Sequence, residues 1–210
     1  MGKATLPGSQ RGVDARAGVL WTGGCVTATD SRATLAHVPR RALFLDRDGT
    51  LIVDVGYPRD PALVQPIPGA AEALRHLQRN RALVVISNQS GIARGTITEA
   101  EAAAVHDRFV AMFAEAGVTF AGFYYCPHGP DDGCRCRKPA PGLLEDAARE
   151  LDLDLASSAM IGDKPSDLEA GRAAGCGLVI RLGSDEDGTP ASARRSEWAD
   201  VVRVLEATET

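Results

Sequence analysis

The sequence predicts an α/β fold with a doubly wound parallel sheet, and three observations carry that expectation. Short continuous apolar runs rich in β-branched and aromatic residues recur along the chain, as buried parallel strands require. Amphipathic stretches of helical period separate them. Acidic or hydroxyl side chains stand directly after several runs, at the carboxyl ends where open parallel sheets gather their ligands.

The elements follow in order. Ala42–Leu45 is the first strand run and Asp46 ends it. Pro68-Gly69 opens a helix over Ala70–Gln78, with Ala70, Ala73, Leu74 and Leu77 on one stripe. Ala82–Ile86 is the next strand, ended by Ser87. Thr98 followed by Glu101 forms a capping box, and Val105, Phe109, Met112 and Phe113 repeat at helical spacing until Gly117. Gly122–Tyr125 is a strand leading into Cys126, and Pro141–Leu151 a helix. Ser158–Ile161 precedes Gly162-Asp163, Ser166–Ala174 is helical, and Leu178–Ile180 is the last strand. Residues 1–39 show neither helical nor alternating period, so they are expected to be a flexible N-terminal extension ahead of one domain over residues 40–210.

Composition narrows the class of function. The 210 residues carry 23 Lys and Arg against 28 Asp and Glu, for a net charge of -5, which argues against nucleic acid as a partner. No apolar run approaches the roughly 20 residues of a bilayer span, and Arg11, Asp14 and Arg16 interrupt any signal-peptide core. A cytoplasmic monomer without membrane partners is expected. Three of the five cysteines, Cys126, Cys134 and Cys136, fall within eleven residues, which in a cytosolic chain points to metal before disulfides. Cys176, among small apolar neighbours, reads as a buried hydrophobe.

The strand ends define the chemistry. Asp46, Ser87 and Asp163 should converge on one rim, with Cys126 close by. Asp46-Arg47-Asp48-Gly49-Thr50 places two carboxylates where a strand enters a tight turn, and Asp163 and Asp167 add oxygens from another strand. Clustered carboxylates repel unless a cation relieves them, and an oxygen-only set suits Mg²⁺. A carboxylate can also attack phosphorus, provided cations and N–H donors surround the transferring group. Lys138, Ser87 and the amides after Ser87 can supply them, although spacing alone does not separate Lys138 from a solvated lysine. Cys126, His128, Cys134 and Cys136 form a three-cysteine, one-histidine set suited to closed, structural Zn²⁺, placed so that the loop presents Arg137 and Lys138.

Asp46-x-Asp48-Gly49-Thr50, then Ser87 after a strand, then Lys138, then Gly162-Asp163-x₃-Asp167, resembles the four ordered motifs of the haloacid dehalogenase superfamily of phosphohydrolases. Phe44–Thr50, Ser87–Gly95 and Cys136-Arg137-Lys138-Pro139-x-Pro141-Gly142 bring it nearest to the D,D-heptose 1,7-bisphosphate phosphatases, relatives of the histidinol-phosphatases. The likeness runs from about Arg41 to Leu182. It implies a Rossmann-like phosphatase domain and a phosphorylated sugar as substrate, the 7-phosphate of the heptose bisphosphate being removed through an aspartyl-phosphate.

The same resemblance implies roles for residues. Asp46 would be the nucleophile and Asp48 the general acid and base. Asp46, the Asp48 carbonyl and Asp163 would hold Mg²⁺, with Lys164 or Asp167 supporting that end. Ser87 and Lys138 would bind the phosphoryl group. Arg137, the loop Asp54-Val55-Gly56-Tyr57 and the stretch Ser87-Asn88-Gln89-Ser90 would recognise substrate. The short zinc loop also resembles that of the histidinol-phosphatases, which leaves histidinol phosphate as the alternative substrate. About 40 residues from Asp48 to Ser87 and about 50 from there to Lys138 leave no room for a large cap domain. A catalytically silent zinc-stabilised binding module would need a broken catalytic set, and Asp46, Asp48, Ser87, Lys138 and Asp163 are all present.

Overall fold

The computed structural model describes residues 26–29, 40–183, 191, 193–195 and 197–208, which build one sheet with helices on both faces. Its strands are β1 (Val26–Thr29), β2 (Ala42–Leu45), β3 (Ala82–Asn88), β4 (Gly122–Cys126), β5 (Ala159–Gly162), β6 (Leu178–Leu182) and β7 (Ala193–Arg195). The helices are α1 (Ala70–Leu77), α2 (Glu99–Glu115), α3 (Gly142–Leu151), α4 (Pro165–Ala174) and α5 (Trp198–Ala207). The spatial order is β1-β4-β3-β2-β5-β6-β7. From β2 the chain moves outward through β3 to β4, then crosses back to β5 on the other side of β2. The switch point therefore lies between β2 and β5, whose ends carry Asp46 and Asp163.

Period-two alternation divides each strand between two cores. Leu43 and Leu45 of β2, with Leu83, Val85, Phe123, Tyr125 and Ile161, face α1, α2 and α5. Ala42 and Phe44, with Val84, Ile86, Tyr124 and Met160, face α3 and α4. Burial on both sides explains why these strands read as unbroken apolar runs. The stripe expected on α1, Ala70, Ala73, Leu74 and Leu77, is the set it buries, and the Thr98–Glu101 capping box closes α2.

Three features differ from the sequence reading. Within the expected extension, Val26–Thr29 forms an edge strand antiparallel to β4, from Val26 opposite Tyr125 to Thr29 opposite Gly122. The sheet is thus parallel except at this edge; the other residues of 1–39 lie outside the described residues. Beyond β6 the chain adds β7 and α5, which close the far edge. Trp198 anchors α5, buried and donating its indole N–H to the Thr50 carbonyl at 3.1 Å. Cys176 is half-buried rather than enclosed.

Phe109 of α2 is 0% exposed and lies 5.0 Å from Phe113 and 5.4 Å from Phe120, centroid to centroid. Phe109→Ala is expected to destabilise the fold by about 3–5 kcal/mol, read from urea unfolding; a loss below ~1 kcal/mol would show that the cluster collapses to fill the gap.

Candidate active site

Asp46 leaves β2 into a turn held by the Arg47 carbonyl, which accepts from the Leu51 and Ile52 amides at 2.9 and 3.0 Å. Gly49 has φ +89° and lies so close to Asp163 that an added Cβ would stand 2.3 Å from its Oδ2. Both the backbone conformation and the space exclude a side chain there. Gly162 plays the same part for Asp167, whose Cβ would meet one at 2.3 Å. Asp46, Asp163 and Asp167 thereby bring one carboxylate oxygen each to within 4.8 Å of one another.

Lys138 is the cation of this cluster. Its ammonium, 3% exposed as a residue, donates to Asp46 Oδ1 at 2.5 Å and to the Ile86 carbonyl at 2.8 Å, and lies 2.6 Å from Asp167 Oδ1. The solvated-lysine alternative is thus excluded. Burial pushes the Asp46 carboxyl up to about 8, against the pull of Lys138, with Asp167 and Asp48 adding to the rise. Burial also raises Asp163, opposed by Lys164 and Lys138. Two adjoining carboxyls, Asp46 and Asp163, that burial drives towards the neutral form are a fit for a divalent cation, which restores the carboxylates. Hard oxygen donors match Mg²⁺. Asp167 has both oxygens engaged, one by Lys138 and the other by the Lys164 amide at 2.9 Å, so it supports Lys138 and caps α4.

Asp48 points away from that cluster. Arg47 grips it with Nε on Oδ2 and Nη2 on Oδ1, both at 3.1 Å, and Gln89 donates to Oδ2 at 2.9 Å. Its side chain therefore does not join the metal set; only its carbonyl retains that assignment. Gln89 also donates to Ser87 Oγ at 2.8 Å, and the Ser87 hydroxyl donates a long bond of 3.5 Å to Asp48 Oδ2. Asn88 clamps the Lys138 peptide, Nδ2 on its carbonyl and Oδ1 on its amide, each at 3.0 Å. Asn88 and Gln89 both line the cleft, and their amides also align Lys138, Asp48 and Ser87. Asn88 acts on Lys138 and Gln89 on Asp48, 50 and 41 positions away, a signal that local spacing does not carry, whereas Arg47 grips its own neighbour.

A cleft of about 660 Å³ opens above the cluster. Asp48, Ser90, Arg137 and Lys164 line it, together with Asp54, Gly56 and Tyr57 of the flap. Val55 is 48% exposed. Asp54 accepts from Lys164 Nζ and from the Gly56 amide, each at 2.9 Å, and the Tyr57 hydroxyl lies 3.3 Å from Ser90 Oγ. Burial would raise the Asp54 carboxyl, but Lys164 and the Gly56 amide outweigh it and hold it below the usual range.

On the same rim Cys126, His128, Cys134 and Cys136 converge. Their contacts run from 3.2 Å, His128 Nδ1 to Cys136 Sγ, to 3.6 Å between Cys126 and Cys134 sulfurs. Such a set can hold a metal ion, and among the described residues no other Cys and His cluster does so. Arg137 donates to the His128 carbonyl at 3.1 Å, tying this loop to the cleft. His76 instead pairs with Glu206 at 2.8 Å, and His106 is buried in α2.

Comparison with known proteins agrees with this geometry. A HAD-hydrolase-like family model matches residues 135–203. A D-glycero-beta-D-manno-heptose-1,7-bisphosphate 7-phosphatase of Yersinia pestis is 38% identical over 179 residues, 79% of this chain and 95% of the relative. The phosphatase of the same name from Vibrio cholerae is 44% identical over 159 residues, 68% of this chain and 82% of its own. A solved D,D-heptose 1,7-bisphosphate phosphatase from B. bronchiseptica, complexed with magnesium and phosphate, superposes with TM-score 0.73 at 34% identity, covering 80% of this chain and 99% of that one. The chain belongs to the HAD-like hydrolase family. Within it the chain is a phosphatase, a hydrolase of phosphoric monoesters.

Gly49→Ala is expected to push the Asp163 carboxylate aside. Phosphate release should then fall at least tenfold or require a higher divalent-cation concentration for half-maximal rate, while the melting temperature falls only modestly. Wild-type cation dependence in the folded variant would show that Asp163 tolerates the displacement.

Proposed function

We propose that the protein is a magnesium-dependent phosphatase that removes the 7-phosphate of D-glycero-D-manno-heptose 1,7-bisphosphate and leaves the 1-phosphate. The observation that carries this reading is the buried Lys138–Asp46 pair at the sheet's switch point, beneath an open cleft that also holds Arg137 and Lys164. A bisphosphate needs cations at two places, and the cleft provides them beyond Lys138. The names of the relatives support the sugar, and the lack of a cap among the described residues between β2 and β4 suits a polar substrate approached from solvent.

Asp46, Asp163 and the Asp48 carbonyl would hold Mg²⁺, which when bound neutralises charge on the phosphoryl oxygens. An Asp46 oxygen attacks phosphorus, and the bond from phosphorus to the sugar oxygen breaks with its electron pair on that oxygen. Asp48 gives its proton to the same oxygen. Asp48 then takes a proton from water, whose oxygen attacks the aspartyl-phosphate; the bond from Asp46 to phosphorus breaks and phosphate leaves. The Lys138 ammonium, exchanging a carboxylate contact for a phosphoryl oxygen, and the Ser87 hydroxyl, turned from Asp48, would hold the equatorial oxygens.

For the Cys126, His128, Cys134 and Cys136 cluster we assign structural Zn²⁺. Tetrahedral bonds of ~2.3 Å to sulfur and ~2.0 Å to nitrogen give ligand separations of roughly 3.5–3.8 Å, close to those found. Four protein ligands leave no position for a reacting water.

With Mg²⁺, purified protein is expected to release phosphate from one anomer of the heptose bisphosphate far faster than from histidinol phosphate, and Asp46→Asn to lower that rate by more than ~10³-fold while remaining folded. Preference for histidinol phosphate would replace the substrate, and full activity of Asp46→Asn would remove the nucleophile. Cys134→Ser is expected to lower zinc content and melting temperature together; one zinc per chain in the pure variant would sink the zinc assignment.

A further inference from the structure

Arg47 lies between the two catalytic aspartates in sequence, is only 2% exposed, and has no part in the steps above. Its guanidinium makes the fork on Asp48 with two bonds of 3.1 Å. Behind it stands Tyr125 of β4, fully buried, with its ring centroid 5.8 Å from the Arg47 Cζ. Burial raises the Tyr125 hydroxyl and Arg47 opposes that rise, as a cation placed beside the phenol oxygen does. Behind Tyr125 lies His106 of α2, whose Nδ1 is 2.8 Å from the Tyr125 hydroxyl. His106 is 1% exposed, its ring packs edge-on against Phe123 at 4.7 Å, and its Nε2 has no hydrogen-bond partner.

The donors settle the order of this chain. Arg47 can only donate, so the Tyr125 hydrogen must go elsewhere. The acceptor in reach is His106 Nδ1, which requires a neutral imidazole protonated at Nε2. Burial, with Arg47 nearby, lowers His106 to about 4, in agreement with that form. An unsatisfied N–H in the core is a cost that packing alone does not explain.

We propose that Arg47, backed by Tyr125 and His106, is a positioning relay for Asp48: it fixes the direction in which Asp48 delivers its proton to the leaving oxygen. The inference rests on the reading of Asp48 as general acid. Fork geometry sets the plane of the Asp48 carboxylate, and the cation under which Tyr125 lies keeps the fork from turning. His106 exchanges no proton with substrate. It keeps the Tyr125 hydrogen directed away from Arg47.

Leaving-group dependence separates positioning from packing. An alkyl phosphate needs its leaving oxygen protonated, whereas p-nitrophenolate departs without help. The experiment compares kcat/KM for the heptose bisphosphate, and for β-glycerophosphate as a generic alkyl phosphate, with that for p-nitrophenyl phosphate. Asp48→Asn, the reference, should lower the alkyl-to-aryl ratio by roughly 10²-fold or more. Tyr125→Phe keeps the ring and deletes the hydroxyl; it should lower the ratio about tenfold. Arg47→Lys keeps the charge but loses the fork, should lower the ratio further, and reads the same quantity if Tyr125→Phe does not fold. An unmoved ratio in Asp48→Asn overturns the acid assignment itself. A ratio that moves in Asp48→Asn but stays at the wild-type value in Tyr125→Phe and Arg47→Lys, with both substrates slowed equally or not at all, overturns the relay alone.

Discussion

The buried ammonium of Lys138 is the constraint on which the rest of the site depends. Its donors are taken by Asp46, Asp167 and the Ile86 carbonyl, so one side chain joins the ends of β2 and β3, the start of α4 and the Cys126–Cys136 loop. A lysine enclosed this far is tolerable only with its charge paired and its hydrogens used. The reverse holds for its partners: without it, two carboxylates would face each other in a volume closed to water. The sheet supplies the frame, since only at a switch point do two adjacent parallel strands turn their carboxyl ends away from each other and leave room for such a cluster.

Around that ammonium lies a layer that does no chemistry and makes the chemistry reproducible. Asn88 holds the Lys138 backbone from one side and the Cys126–Cys136 loop holds it from the other. Arg135, between two of the cysteines, grips Asp146 of α3 with bonds of 2.7 and 3.1 Å, so the loop is also fastened to a helix. Gly49 and Gly162 give the opposing carboxylates their space. An error of an ångström at Asp46 or Lys138 would cost more in rate than most losses of a surface contact.

Much of this was legible from local sequence. Doubly buried strands announce themselves as apolar runs, and the α1 stripe and the capping box of α2 are periodic signals that no tertiary contact overrode. Cys126, His128, Cys134 and Cys136, eleven residues from end to end, could be read together because short range and donor chemistry coincide. What escaped has physical reasons. β1 and β7 are edge strands of four and three residues whose existence depends on a partner far along the chain. For α5 the signal was present, since Trp198, Val201 and Leu205 sit at helical spacing, but it follows a stretch without period. Lys138 could not be told from a solvated lysine because its partners stand 92 and 29 positions away, and similar distances hid the work of Asn88 and Gln89.

The flap is fastened unlike anything beneath it. Its ion pair, Lys164 with Asp54, has side chains 52% and 35% exposed, and Tyr57 meets Ser90 through its hydroxyl and rests on Gly91 through its ring. A pair so open to water is worth no more than about 1 kcal/mol and weakens with salt. Opening the mouth of the cleft therefore needs only the nanosecond-to-microsecond swing of a loop, with no domain displaced. Salt would therefore be felt first at the mouth of the cleft, while the Lys138 cluster beneath, enclosed by protein, is screened far less.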